Sequence, residues 1–316
     1  MKNKKPYIRI VLKLAACLCV ITVSPSVFAQ TTEWTGAVDD EWFDNGNWTS
    51  FVPNASIGAS IIIPDTVNLS LGNAAADSLS LANGANLNVG GTFTSVLDIG
   101  NILNIAAELN VESGTAAAQV NSDVIIIGQN ASDTGVLTLR DIFARVSSAN
   151  YTRVGDHGTG TVNVSNGAEF VSDNGAEFVS DDLDVGFGAN SFGYINVSQG
   201  GILTLLNDIH VGNLGDGSLV LQSNSTASTA GNAVIGSEST GVGEVEIDNS
   251  SWSIAGDLEV GKHGEGSLLL FGLGGGQVDS ATGVIGAEAS GSGQVDMTSS
   301  SSWLNSGTLV VGGAGE

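Results

Sequence analysis

The sequence predicts an all-β chain: a signal peptide followed by a parallel β-helix, or solenoid, of about 25-residue rungs. Three observations predict it. Glycine punctuates the chain at a fixed internal period, the apolar stretches between glycines alternate with period two, and the first residues read as an export signal.

Residues 1–29 form the signal. Lys2, Lys4, Lys5, Arg9 and Lys13 make a basic start without an acid, the apolar run 14–23 comes next, and Ser24-Pro25-Ser26 leads into the small-residue pattern Val27-Phe28-Ala29. That run is short of the roughly 18 apolar residues of a membrane anchor. Cleavage is therefore placed after Ala29, with Gln30 as the first mature residue. Leu14-Ala15-Ala16-Cys17 imitates a lipoprotein cleavage site, but a cut there would leave most of the apolar run behind it.

Residues 30–60 carry Trp34, Trp42 and Trp48 and read as a capping segment, because the terminal coil of a solenoid must cover an otherwise exposed core. Residues 61–150 read as diverged rungs, with loose glycine marks at Gly90, Gly100 and Gly128. Residues 151–316 carry the regular repeat. A last looser copy ends at Gly155, and then come Leu183-Asp184-Val185-Gly186, Ile209-His210-Val211-Gly212, Ala233-Val234-Ile235-Gly236, Leu258-Glu259-Val260-Gly261, Gly283-Val284-Ile285-Gly286 and Leu309-Val310-Val311-Gly312. From Gly186 to Gly312 the terminal glycines are 26, 24, 25, 25 and 26 residues apart. A second pair succeeds several of them, as in Gly215-Asp216-Gly217 and Gly241-Val242-Gly243, and then another strand. In Glu244-Val245-Glu246-Ile247-Asp248 the apolar residues face one side and the carboxylates the other. A rung of this kind cannot bury its apolar side alone, so the rungs must stack. Glycine fits the corners because positive φ is free of steric penalty there.

The octapeptide 166–173 recurs without change as 174–181 and accounts for the one long interval, 31 residues from Gly155 to Gly186. It reads as a duplication tolerated at a corner, since an insertion of even length preserves the in/out alternation of the strands after it. The chain stops at Glu316 inside a repeat, which reads as a fragment or truncated product.

Once the signal is removed, four cations (Arg140, Arg145, Arg153 and Lys262) stand against 33 acids, a formal charge near −29. Nucleic-acid binding, which depends on Lys and Arg at phosphates, is disfavoured, as is direct docking on anionic lipid. Both cysteines, Cys17 and Cys19, fall in the signal, so the mature chain carries no disulfide, thiol nucleophile or Cys-based metal site.

No catalytic, cofactor-binding or metal-ligating set is assigned. His157 and His263 occupy equivalent slots after a repeat glycine, and His210 alternates outward between Ile209 and Val211, so all three read as turn and surface positions. The densest acid clusters, Asp39-Asp40-Glu41 and Asp181-Asp182 with Asp184, read as a solvated acidic face rather than a calcium site or a glycosidase pair. No Gly-x-Ser-x-Gly elbow on a strand–helix turn is present.

The 25- and 50-residue pattern of residues 241–266, with Gly-x-Gly, Ser250-Ser251-Trp252 and Leu258-x-Val260-Gly261, resembles the repeat of type V secretion autotransporter passengers and of PEP-CTERM surface proteins. Trp34-Thr35-Gly36, Trp42-Phe43-Asp44, Asn47-Trp48 and Val52-Pro53 resemble the opening motif of such proteins. The resemblance covers most of residues 33–316 and implies a β-helix at the cell surface or outer membrane, or outside the cell, engaged in adhesion, aggregation or matrix formation; with no catalytic set assigned, the chain reads as a non-enzyme. The implied partners are surface glycans or proteins, or other copies of the chain. The alternative is a secreted carbohydrate-active β-helix enzyme, such as a polysaccharide lyase or glycosidase; against a lyase stands the scarcity of cations to meet an acidic sugar.

Overall fold

A computed structural model describes residues 30–172 and 183–314 of the chain. The expected signal peptide and its expected cleavage site at Ala29, both cysteines and the second copy of the octapeptide lie outside the described residues.

The chain winds into a parallel β-solenoid of about 11 coils. Each regular coil has three faces. Asp216–Gln222, Thr226–Thr229 and Ala233–Ile235 supply one strand each to the first, second and third face, and the next coil repeats them as Val242–Asp248, Ser251–Ile254 and Leu258–Val260. The first face holds ten strands, all paired in parallel, from Thr66–Leu69 to Ser292–Met297. The expected absence of regular helix is met by a single 3-10 turn at Asn45–Asn47 among the described residues.

Register converts the alternation into continuous ladders. Ile195, Leu219, Val245, Leu268 and Val295 stack on successive coils, as do Val197, Leu221, Ile247 and Leu270 beside them. Val154, Val185, Val211, Ile235 and Val260 close the core from the third face. Val245, Ile247, Leu258, Val260 and Leu268 are fully buried, and Val295 is half-buried against the same core.

The repeat glycines mark the corner between the third and first faces. Gly128, Gly155, Gly186, Gly212, Gly236, Gly261, Gly286 and Gly312 share φ of 66° to 73°. A Cβ on Gly236 would also lie 2.3 Å from the carbonyl oxygen of Glu265, so conformation and space both demand glycine. The second glycine of each pair completes the device: a Cβ on Gly217 would fall 2.2 Å from the nitrogen of Gly212. Gly90 and Gly100 depart from the expectation. They lie within the strands Asn86–Gly91 and Ser95–Ile105 and mark no such corner.

The chain between residues 95 and 154 is not a looser solenoid but a differently cornered one. Ser95–Ile105, Ala118–Ile127 and Ala144–Val154 each run unbroken from the second face onto the third, bending at shared irregularities between Ile99 and Ile102 and between Ser148 and Tyr151. A bulge turns the strand there, so no glycine is required.

Candidate functional site

At the N-terminal end, Gln30–Glu33 pairs with Ile57–Ile61, and the intervening chain folds over the core. Trp48 stands between Trp34 and Trp42 in edge-to-face contacts, with centroids 5.1 and 5.0 Å apart. All three rings are buried, so none offers a face to a sugar. Trp34 donates to Asp65 Oδ2 and Trp48 to the carbonyl of Trp42, both at 2.9 Å, while the Trp42 N–H is buried without an acceptor. Asp39 in the adjacent acid cluster is occupied structurally: its Oδ1 accepts from the Asn47 amide at 2.7 Å and the Glu41 N–H at 3.0 Å. Both contacts make it a turn former.

The densest chemistry lies on the third face. Register places Arg153, Asp184 and His210 one above another on successive coils, all pointing outward between core positions. Asp184 is only 3% exposed, which corrects its reading as part of a solvated acidic face. Its carboxylate lies 3.8 Å from Arg153 Nε and 3.2 Å from His210 Nδ1, and it accepts from the Asn213 amide at 2.7 Å. His210 is likewise more than a plain surface position, because it is paired with a buried carboxylate. Asp181 and Asp182 lie outside the described residues.

Aromatic rings complete this cluster. The Arg153 guanidinium carbon stands 3.6 Å from the Phe187 ring centroid and 4.8 Å from that of Tyr151. Asp156, next in the chain after the corner glycine Gly155, is nearly buried and lies 3.5 Å from Arg153 Nη1. His157 sits 3.3 Å from the same carboxylate, with its ring largely in solvent. Two coils beyond His210, Lys262 pairs with Glu259 at 3.0 Å on the same side of the column. Arg153 and Lys262, two of the four Lys and Arg side chains among the described residues, thus each stand beside carboxylates.

Arg153, Asp184 and His210 hold one another, and through them three successive coils are tied together on the outside as well as in the core. No group of three or more His, Cys, Asp or Glu side chains converges on a metal position among the described residues. His157, His210 and His263 recur along the column instead of meeting. On the first face, burial and then the negative charge of Glu246 push the Tyr194 phenol above its ordinary pKa. No helix among the described residues is long and apolar enough to cross a membrane.

Nothing in the local sequence signals the Arg153–Asp184–His210 ladder, because its members are 31 and 26 residues apart. A register aligned on Gly155, Gly186 and Gly212 finds it, since each member lies two residues before its glycine. The chain matches no protein-family model, and comparison with curated proteins and with solved structures returns no significant match.

Proposed function

We propose that the mature chain is an exported surface column with a structural or adhesive role, acting through a long repetitive exterior. The observation that carries this reading is the outward register. Ladders such as Thr204, Ser228 and Ser253 present similar polar groups on successive coils, so contacts repeat along the axis. Repeated weak contacts gain strength by avidity without one preorganised centre. With so many uncompensated carboxylates, neighbouring columns repel, and association between them strengthens as salt screens that repulsion over roughly 10 Å at 0.1 M. Beads coated with purified residues 30–316 test this. Aggregation that rises with ionic strength or with calcium supports the column reading, and beads that stay dispersed under every condition contradict it.

One cluster favours a second reading. Asp184 and His210, with Arg153 beside them, bring a carboxylate, an imidazole and a cation together, the kinds of group a carbohydrate-active centre uses. Measurable depolymerisation of a polysaccharide by the wild type, abolished by Asp184→Asn with the fold intact, would move the assignment to the enzyme.

Export is part of the proposal. N-terminal sequencing of the secreted protein should begin at Gln30, and a chain beginning at Met1 or Cys17 would refute the signal assignment.

A further inference from the structure

We infer that the corner between the first and second faces, at residues 223–226, 249–251 and 274–277 of three successive coils, is a binding groove for a neutral, polyhydroxylated chain: an uncharged oligosaccharide. The column reading supplies its biological use, but the chemistry stands without it.

The groove has a volume of about 610 Å³ and crosses three coils, and no charged side chain lines it. That is unusual in this molecule. Four other concavities are smaller, and each is lined by at least one carboxylate, among them Asp98, Glu112, Glu108 and Asp279. The cause is local sequence. The corner takes three residues in one coil, only two in the next (Asn249 and Ser250), then five in the glycine-rich stretch 272–276. The wide loop is tied back, with Gly274 N–H donating to Asn249 Oδ1. Glycine is required within it, because Gly275 has φ of 77° and a Cβ there would lie 2.4 Å from the carbonyl of Ser300.

The lining has hydrogen-bonding capacity to spare. Thr226, Ser251 and Gln277 stack in register on three coils, and Ser223 and Asn224 stand beside them. None of these five side chains makes a hydrogen bond within the described chain, whereas Ser225, Ser250 and Asn249 are bonded to one another or to Asp248. Hydroxyls and amides both donate and accept, as do sugar hydroxyls, whereas carboxylates only accept and ammonium groups only donate. The stacked coils repeat these groups about every 4.8 Å, which suits a polymer of identical units. Leu273, 98% exposed beside the groove, offers an apolar contact for the C–H face of a sugar ring. Acidic glycans are disfavoured by the carboxylates of the surrounding surface.

The test uses residues 30–316 and titrations with cello-, malto- and mannohexaose, an oligogalacturonate hexamer, and a neutral Ser/Gly peptide of similar length. The groove predicts binding of at least one neutral hexasaccharide and none of the oligogalacturonate. Affinity should fall at least tenfold in the Asn224→Ala/Ser251→Ala/Gln277→Ala variant, whose melting temperature should hold because these side chains lack partners. Ser251→Trp, which fills the groove instead of stripping it, should give the same loss. Thr161→Ala/Asn163→Ala, on the outer side of the first face, should change nothing. Failure of every neutral sugar to bind, equal binding by the groove variants, or binding of the peptide in place of the sugars would overturn the inference. Bead aggregation by the same variants separates the two proposals: unchanged aggregation with lost sugar binding leaves the column reading in place, and lost aggregation with intact binding does the reverse.

Discussion

Ile247 and Glu246 are neighbours with opposite fates. Ile247 is fully buried between Leu221 and Leu270, while Glu246 points outward one residue earlier. Ile247→Asp places an unpaired carboxylate in a dry ladder and should destabilise by about 4 kcal/mol or more. Glu246→Lys should stay within about 0.5 kcal/mol, as substitutions away from the core usually do. Equal effects in thermal unfolding would contradict the register. Glu246 also reports on Tyr194. Since burial and then the Glu246 charge raise that phenol, Tyr194 should ionise above the ordinary value of about 10. A raised folded pKa stabilises fully below the unfolded value and loses that contribution as pH climbs through the folded one. Stability should therefore drop above about pH 10. In residues 30–316 carrying Tyr151→Phe, absorbance titration isolates Tyr194, and Glu246→Gln should lower its midpoint without restoring it fully, because burial remains.

Among the elements, corners decided what could be read from the sequence. The third-to-first corner was legible because left-handed backbone and lack of space for a Cβ both select glycine, so Gly186, Gly212, Gly236, Gly261 and Gly286 recur where the physics needs them. The bulged corners of Ser95–Ile105, Ala118–Ile127 and Ala144–Val154 need no particular residue, and the same coils looked merely diverged. Side-chain pairing across coils, as in Arg153, Asp184 and His210, was hidden for another reason: local sequence does not record what the next coil brings alongside. Corner length also gives a prediction. Second- and third-face strands are normally separated by two or three residues, as between Thr229 and Ala233 or Ser280 and Gly283, but Ser172 and Leu183 are separated by ten. Deleting residues 174–181 restores two. Melting temperature and circular dichroism should be nearly unchanged, and collapse of the fold would show that the duplication carries structure.

At the scale of the whole molecule, the solenoid is a stack whose stability and surface both accumulate coil by coil. The aromatic cover at Trp34, Trp42 and Trp48 protects one end of the core, and the coils beyond it continue one apolar core even where their corners differ. A function spread along such a column should diminish by increments as coils are removed, whereas a function lodged in one site should vanish with that site. Deleting residues 237–261 joins Gly236 to Lys262 and removes one coil in register; deleting 213–261 joins Gly212 to the same residue and removes two. The decisive measurement is bead aggregation by these variants beside the intact chain, after each is shown to be folded by circular dichroism. A distributed exterior predicts a stepwise decline from intact chain to one-coil to two-coil deletion, with Asp184→Asn aggregating like the wild type. Full loss on removing one coil, or on Asp184→Asn alone, would contradict it.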